Sequence, residues 1–170
     1  MSGARAVSAT CALGLVLVVA GCGASRIENG TFHSAKGYQV TLPGDGWRVE
    51  SGGDAVVALR RDVPPGGMLA DATCEGKPLG YPLPVLARHL TFGLTNRVTT
   101  EHTTEILSGR PAEHTVVRGT VGGTAVGVEA VVVRSATCVH DFLYVAPAAA
   151  FEGGRRDFRA FVESFAGEPR

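Results

Sequence analysis

The chain has 170 residues, 45% of them apolar, and its sixteen basic residues are balanced by sixteen acidic ones. That length suits one domain with a proper core. With no net charge there is no basic field to hold nucleic acid or an anionic membrane face, so nucleic acid is not an expected partner.

Residues 1–21 have the parts of an export signal. Arg5 supplies a short positive start, residues 12–20 an apolar stretch, and Ala20 and Gly21 the small residues before Cys22. A membrane-crossing helix needs about 20 apolar residues, and this run is about half as long. Val19-Ala20-Gly21-Cys22 resembles the bacterial lipobox, which implies cleavage before Cys22 and acylation of its thiol. The membrane contact is then the lipid itself, held by two or more acyl chains at about 0.8 kcal/mol per buried CH₂. The expected address is the cell envelope. In a cell with two membranes it is the periplasmic face of the outer one, because Gly23 and not Asp follows the cysteine; otherwise it is the outer face of the plasma membrane. With Cys11 cleaved off and Cys22 carrying lipid, Cys74 and Cys138 remain, and an oxidising compartment favours their pairing over two separate buried thiols.

In chain order, residues 22–30 read as a lipid-anchored polar tether and residues 31–170 as a single domain. Tyr38, Val40 and Leu42 alternate with Gln39 and Thr41, a half-buried strand ended by Pro43 and Gly44. Trp47-Arg48-Val49 opens a second strand. Residues 55–61 form a third, closed by Pro64-Pro65-Gly66-Gly67, and residues 68–74 a fourth. The spacing then predicts a helix over 84–97. Pro84 suits its first turn, Leu86, Leu90 and Leu94 share a stripe, and Arg88 and Arg97 lie on the polar side. Residues 98–107 are Thr-rich and extended, up to Ser108-Gly109-Arg110-Pro111. Gly122-Gly123 joins residues 112–121 to 124–135 in a tight hairpin, and residues 126–133 are mostly apolar on both faces, as in a strand covered on both sides. Residues 138–146 give the last strand. Phe158, Phe161, Val162 and Phe165 form the inward stripe of a closing helix over 151–165. About seven or eight strands joined by short turns, with one mid-chain and one C-terminal helix set apart from them, predict an α+β domain on an antiparallel sheet.

Four short pieces, Gly37-Tyr38-Gln39-Val40-Thr41-Leu42-Pro43, Gly46-Trp47, Gly109-Arg110-Pro111-Ala112 and Phe161-Val162-Glu163-Ser164-Phe165, together resemble the PsbP/Mog-type family. The resemblance spans most of residues 37–165. It implies an antiparallel sheet sandwiched between helices, and an assembly, binding or accessory role with no shared catalytic set. A lipocalin-like barrel is the alternative, with its strands, disulfide, lipid anchor and terminal helix. Against it, the lipocalin signature requires Gly two residues before Trp, where this chain has Asp45, and the mid-chain helix interrupts an up-and-down barrel.

Chemistry-bearing residues are sparse. His102 and His114 flank the turn at 108–111, and with His140-Asp141 they form a candidate metal or acid–base cluster. The plainer reading is polar residues on strand surfaces, since one register step sends a side chain to the opposite face. Asp71 and Asp141 are a candidate carboxylate pair, with hydrogen-bonded strand residues as the alternative. Ser108 and Ser135 lack the nucleophile elbow, the glycine pairs lack a following helix, and no cofactor motif occurs. The expected function is therefore a non-catalytic, lipid-anchored envelope protein, an accessory or binding module for an envelope partner or a small ligand. Its working loops are expected at 62–67, 75–81 and 108–112. The alternative is an envelope metal-dependent hydrolase using His102, His114 and His140.

Overall fold

The structure is a computed structural model in which residues 24–44, 46–50 and 57–167 are described. The expected export signal and Cys22 lie outside them. The chain runs β1 (Arg26–Glu28), β2 (Thr31–His33), β3 (Tyr38–Thr41), β4 (Arg48–Glu50), β5 (Val57–Asp62) and β6 (Pro65–Thr73). After a 3₁₀ turn at Lys77–Gly80 come α1 (Leu83–His89), β7 (Thr95–Leu107), β8 (Arg110–Val121), β9 (Thr124–Arg134), β10 (Val139–Pro147), α2 (Glu152–Glu163) and β11 (Ala166–Gly167). Seven strands form one antiparallel sheet in the order β4-β5-β6-β10-β9-β8-β7, and four form a smaller one, β1-β2-β3-β11. Among the described residues neither sheet closes into a barrel, so the lipocalin alternative falls. The physical reason is α1, which takes the chain from β6, in the middle of the sheet, to β7 at its edge.

Side chains alternate between the two faces of each strand. The inner face carries Leu59, Met68, Ala70, Val116, Val131, Phe142 and Tyr144. On it pack Phe158, Phe161 and Val162 of α2 together with Phe32, Tyr38 and Val40 of the small sheet. On the outer face, Leu86 and Ala87 of α1 cover Val132 and Val139. The order of layers is α1, large sheet, then α2 beside the small sheet, an α+β sandwich of the kind the family resemblance implies. Both faces of β9 are thus covered, as its apolar run suggests.

Helix α2 is fixed by ions as well as by phenylalanines. Glu129, 1% exposed, accepts from His114 Nε2 at 2.8 Å and from Arg155 Nε at 2.8 Å. The same guanidinium grips Glu101 through both terminal nitrogens, at 2.9 and 2.8 Å. Despite its burial, these donors hold the Glu129 carboxyl below the usual range. Phe151 sits over Gly127 so closely that a methyl group there would overlap the ring. On the β5 side of the same end, the buried Arg61 joins Asp157 at 2.6 Å and stacks 4.5 Å from the Trp47 ring.

Three elements differ from the sequence reading. The helix expected over 84–97 stops at His89, with Leu90 as its C-cap. Gly93 then takes φ +94, a left-handed value that glycine adopts freely, and Asn96 takes φ +50. The β-branched run that follows belongs to β7, so Leu94 and Arg97 are not on the helix. The tether expected over 22–30 contains a strand, because β1 pairs with β2 from Arg26↔His33 to Glu28↔Thr31. Pro64-Pro65-Gly66-Gly67 does not end a strand cleanly. The turn is confined to Val63 and Pro64, and Pro65 already pairs with Asp62.

Candidate functional site

The three candidate histidines do not meet. His102 is paired with Thr115, and Thr103 with His114, so the two imidazoles point from opposite faces of the sheet. His114 is spent on Glu129. His102 lies on the outer face against the buried carboxylate of Glu113, whose other oxygen accepts from Thr104. His140 is on the inner face, its ring centroid 5.3 Å from that of Tyr38 and 4.7 Å from that of Phe165. Among the described residues, no group of three or more His, Cys, Asp or Glu is placed to hold a metal ion.

The candidate carboxylates do meet. Asp141 and Asp71 are direct cross-strand partners on β10 and β6. Burial first, and the Asp71 charge second, push the Asp141 carboxyl up to about 6. Lys36 Nζ stands 3.7 Å from Asp71 and also donates to the Ala72 carbonyl, which β6 leaves open past the end of β5. The sulfurs of Cys74 and Cys138 are 2.05 Å apart, one step beyond the Thr73↔Val139 pair.

The disulfide forms part of the wall of a cavity of about 490 Å³. Three turns and one strand end build it. Lys36 and Gly37 come from the β2–β3 turn, residues 109–111 from the β7–β8 turn and the start of β8, residues 134–138 from the end of β9 and the turn after it, and Gly167 from β11. Its volume lies within the roughly 300–1,000 Å³ of small-molecule sites. Lys36, Arg110 and Arg134 all line it, and among the described residues no acidic one does. Arg134 is locked in place, giving Nη1 to the Leu79 carbonyl at 2.9 Å and Nη2 to that of Tyr81. Arg110 gives Nη1 to the Ser108 carbonyl at 3.0 Å and lies over the Phe165 ring.

His140 lines the same cavity, is 2% exposed, and has Nε2 3.3 Å from Ser135 Oγ. Burial, assisted by the charge of Arg110, lowers its pKa to about 4, so the ring is neutral at pH 7. Among the described residues, three buried side-chain polar atoms make no hydrogen bond, Glu113 Oε1, Arg134 Nε and His140 Nδ1. Glu113 Oε1 nonetheless has His102 against it. The other two belong to residues that line this cavity.

Of the three expected loops, residues 108–112 help line the cavity and residues 75–81 supply the carbonyls that hold Arg134. Residues 62–67 sit at the far end of the sheet, because Gly67 pairs with Val145. Sequence reasoning missed Lys36, Arg134 and Thr137. Arg134 had a signal, a charge ending the apolar run at residues 130–133. Lys36 and Thr137 have none, because each is an ordinary turn residue until the small sheet docks.

No family model and no curated protein matches the sequence. Solved structures do match in fold. The chain is similar to cyanobacterial PsbP (CyanoP) from Synechocystis sp. PCC 6803, with a TM-score of 0.60 and 11% identity over 94% of this chain and 98% of that one. It is also similar to LpqN, described as involved in cell envelope biogenesis of Mycobacterium tuberculosis, with a TM-score of 0.56 and 17% identity over 78% and 84% of the two chains. A protein from Bacteroides thetaiotaomicron matches with a TM-score of 0.56 and 9% identity over 88% of this chain, which spans only 50% of that protein's length. At these identities the likeness is one of fold, and the PsbP-like sandwich is that fold.

Proposed function

We propose that the chain is a non-catalytic, lipid-anchored protein of the cell envelope, an accessory factor that works by holding a ligand or partner group in the cavity at the disulfide end of its sheet. The observation that carries the reading is that cavity. It is of ligand size, three basic residues line it, and it is walled by a buried neutral histidine and a locked arginine. The envelope address rests on the Val19-Ala20-Gly21-Cys22 motif, and the envelope role described for LpqN, which shares the fold, supports it. A metal hydrolase built on His102, His114 and His140 would need all three on one face, and the register divides them.

A photo-reactive amino acid at Thr137, an exposed residue lining the cavity, tests the reading in living cells. The expected result is one discrete adduct that is absent when the same group is placed at Arg156, exposed on α2. Identical adduct patterns from the two positions would contradict the assignment.

A further inference from the structure

Among the described residues, the two sheets have four edge strands, and three of them are short. β4 and β1 have three residues each and β11 has two, whereas β7, at the remaining edge of the large sheet, has thirteen. A bare strand edge is a row of unpaired N–H and C=O groups, and sheets protect it with short strands, bulges, proline or lysine. The register shifts of β7 all fall between Thr95 and Glu101. From Glu101 to Leu107 the ladder to β8 is unbroken, with neither Pro nor Lys in the run. Among the described residues β7 pairs with β8 alone. Residues 102–106 are exposed although successive side chains point to opposite faces, so both faces of this run leave room for a further strand.

The charges on the run do not guard it. Glu101 is gripped by Arg155, and His102 lies against the buried Glu113, which also accepts from Thr104 at 3.1 Å. Ile106 is 72% exposed. Register decides what the edge can take. Two copies of one strand pair antiparallel about a two-fold axis, so one residue faces itself and its neighbours face each other in reverse order. Centring on Glu101 or Glu105 sets that carboxylate against itself, and centring on Thr103 sets Glu101 against Glu105; like charges directly opposite are destabilising. Centring on His102 or Ile106 confines pairing to residues 101–103 or 105–107 of the unbroken run. Centring on Thr104 uses all of it. Glu101 then faces Leu107, His102 faces Ile106 and Thr103 faces Glu105, with no carboxylate opposite another. The pair of imidazole and isoleucine occurs twice and covers the exposed apolar side chain.

We propose that β7 pairs antiparallel with β7 of a second copy of this chain, in the register centred on Thr104, joining the two large sheets into one. The pairing goes beyond the cavity reading and does not depend on it, because none of residues 101–107 lines that cavity.

The test is sedimentation of the purified full chain in density-matched detergent, comparing the parent with Thr103→Glu and with Thr103→Glu combined with Glu105→Lys. The parent is expected to be a dimer. Thr103→Glu sets carboxylates opposite each other on both sides of the axis and should weaken association by about tenfold or more. The added Glu105→Lys makes both contacts attractive and should restore it, which a fold defect would not allow. In a parallel assay with copper–phenanthroline in air, Thr104→Cys should form a covalent dimer, since directly opposed Cα atoms lie about 4.5–5.5 Å apart, within reach of a disulfide. Glu50→Cys, on the short edge strand β4, should not. Should Thr103→Glu fail to fold, the Thr104→Cys bond still decides the matter. The proposal is overturned by a monomeric parent, by folded Thr103→Glu that associates like the parent, or by crosslinking of Glu50→Cys instead of Thr104→Cys. A monomeric parent whose photo-reactive group at Thr104 captures a different protein in cells would give the edge to that protein's strand and equally overturn pairing between copies. None of these results bears on the Thr137 adduct, so the cavity reading is judged separately.

Discussion

Asp141→Asn is expected to stabilise the protein at neutral pH and to leave it unchanged in acid. Asp141 faces Asp71 across the β6–β10 ladder, and its carboxyl is pushed from 3.8 up to about 6. Each pKa unit is worth about 1.36 kcal/mol, so ionising Asp141 in the fold costs about 3 kcal/mol relative to the unfolded chain. Because the folded value is the higher one, the favourable contribution of the protonated carboxyl is fully present below 3.8 and is lost as pH rises through about 6. Asn stays uncharged throughout. The stability difference between variant and parent should therefore grow from near zero at pH 4 to as much as about 3 kcal/mol above pH 7, read from urea midpoints at constant m. His140 titrates in both proteins and cancels from that difference. In the variant alone it becomes visible. Its depressed value, about 4 against 6.5, means that stability should fall by about 3 kcal/mol as pH drops from 6.5 to 4. An Asp141→Asn effect of the same size at pH 4 and pH 7.5 would refute the reasoning, because a lost contact does not titrate.

Other expectations follow from the same packing. Leu86→Ala, under α1 on Val132 and Val139, should cost about 2–5 kcal/mol in denaturant unfolding, whereas Phe92→Ala, 65% exposed just past the helix, should change little. Cys74 and Cys138 are 64 residues apart, so reducing their disulfide should lower stability by about 4 kcal/mol on the chain-entropy model; two titratable thiols in unreduced, unfolded protein would exclude the bond. Cys22→Ser should abolish metabolic acyl labelling, and unchanged labelling would remove the anchor from the account.

The elements legible in the sequence are those whose signal is local. Gly122-Gly123 marks a hairpin in which Val121 pairs with Thr124, and the phenylalanine spacing of α2 gives its buried stripe directly. The mid-chain helix was overextended because Leu86, Leu90 and Leu94 keep a helical period past the point where the chain turns at Gly93 and β-branched residues take over. β1 is three exposed residues with no apolar alternation, and only its pairing with β2 makes it a strand. The site was less legible than the fold. The parity of the β7–β8 register separates His102 from His114, and a sequence does not state a register to one residue. The cavity's cations come from turns about 75 and 25 residues apart, so no motif joins them before the sheets dock. Asp71 and Asp141 were the exception, because each stands three residues from a cysteine of the same disulfide and the ladder between them is unbroken.

The central claim is that the working surface is the cavity between the small sheet and the disulfide end of the large one. Amide chemical shifts followed during titration with a panel of small charged and neutral organic molecules test it most directly. The account predicts perturbations clustered at Gly37, Gly109, Ser135, Thr137 and His140, saturating together, with the β4–β5 edge unmoved. Perturbations centred on β4–β5, or on the outer face around His102 and Glu113, would contradict it.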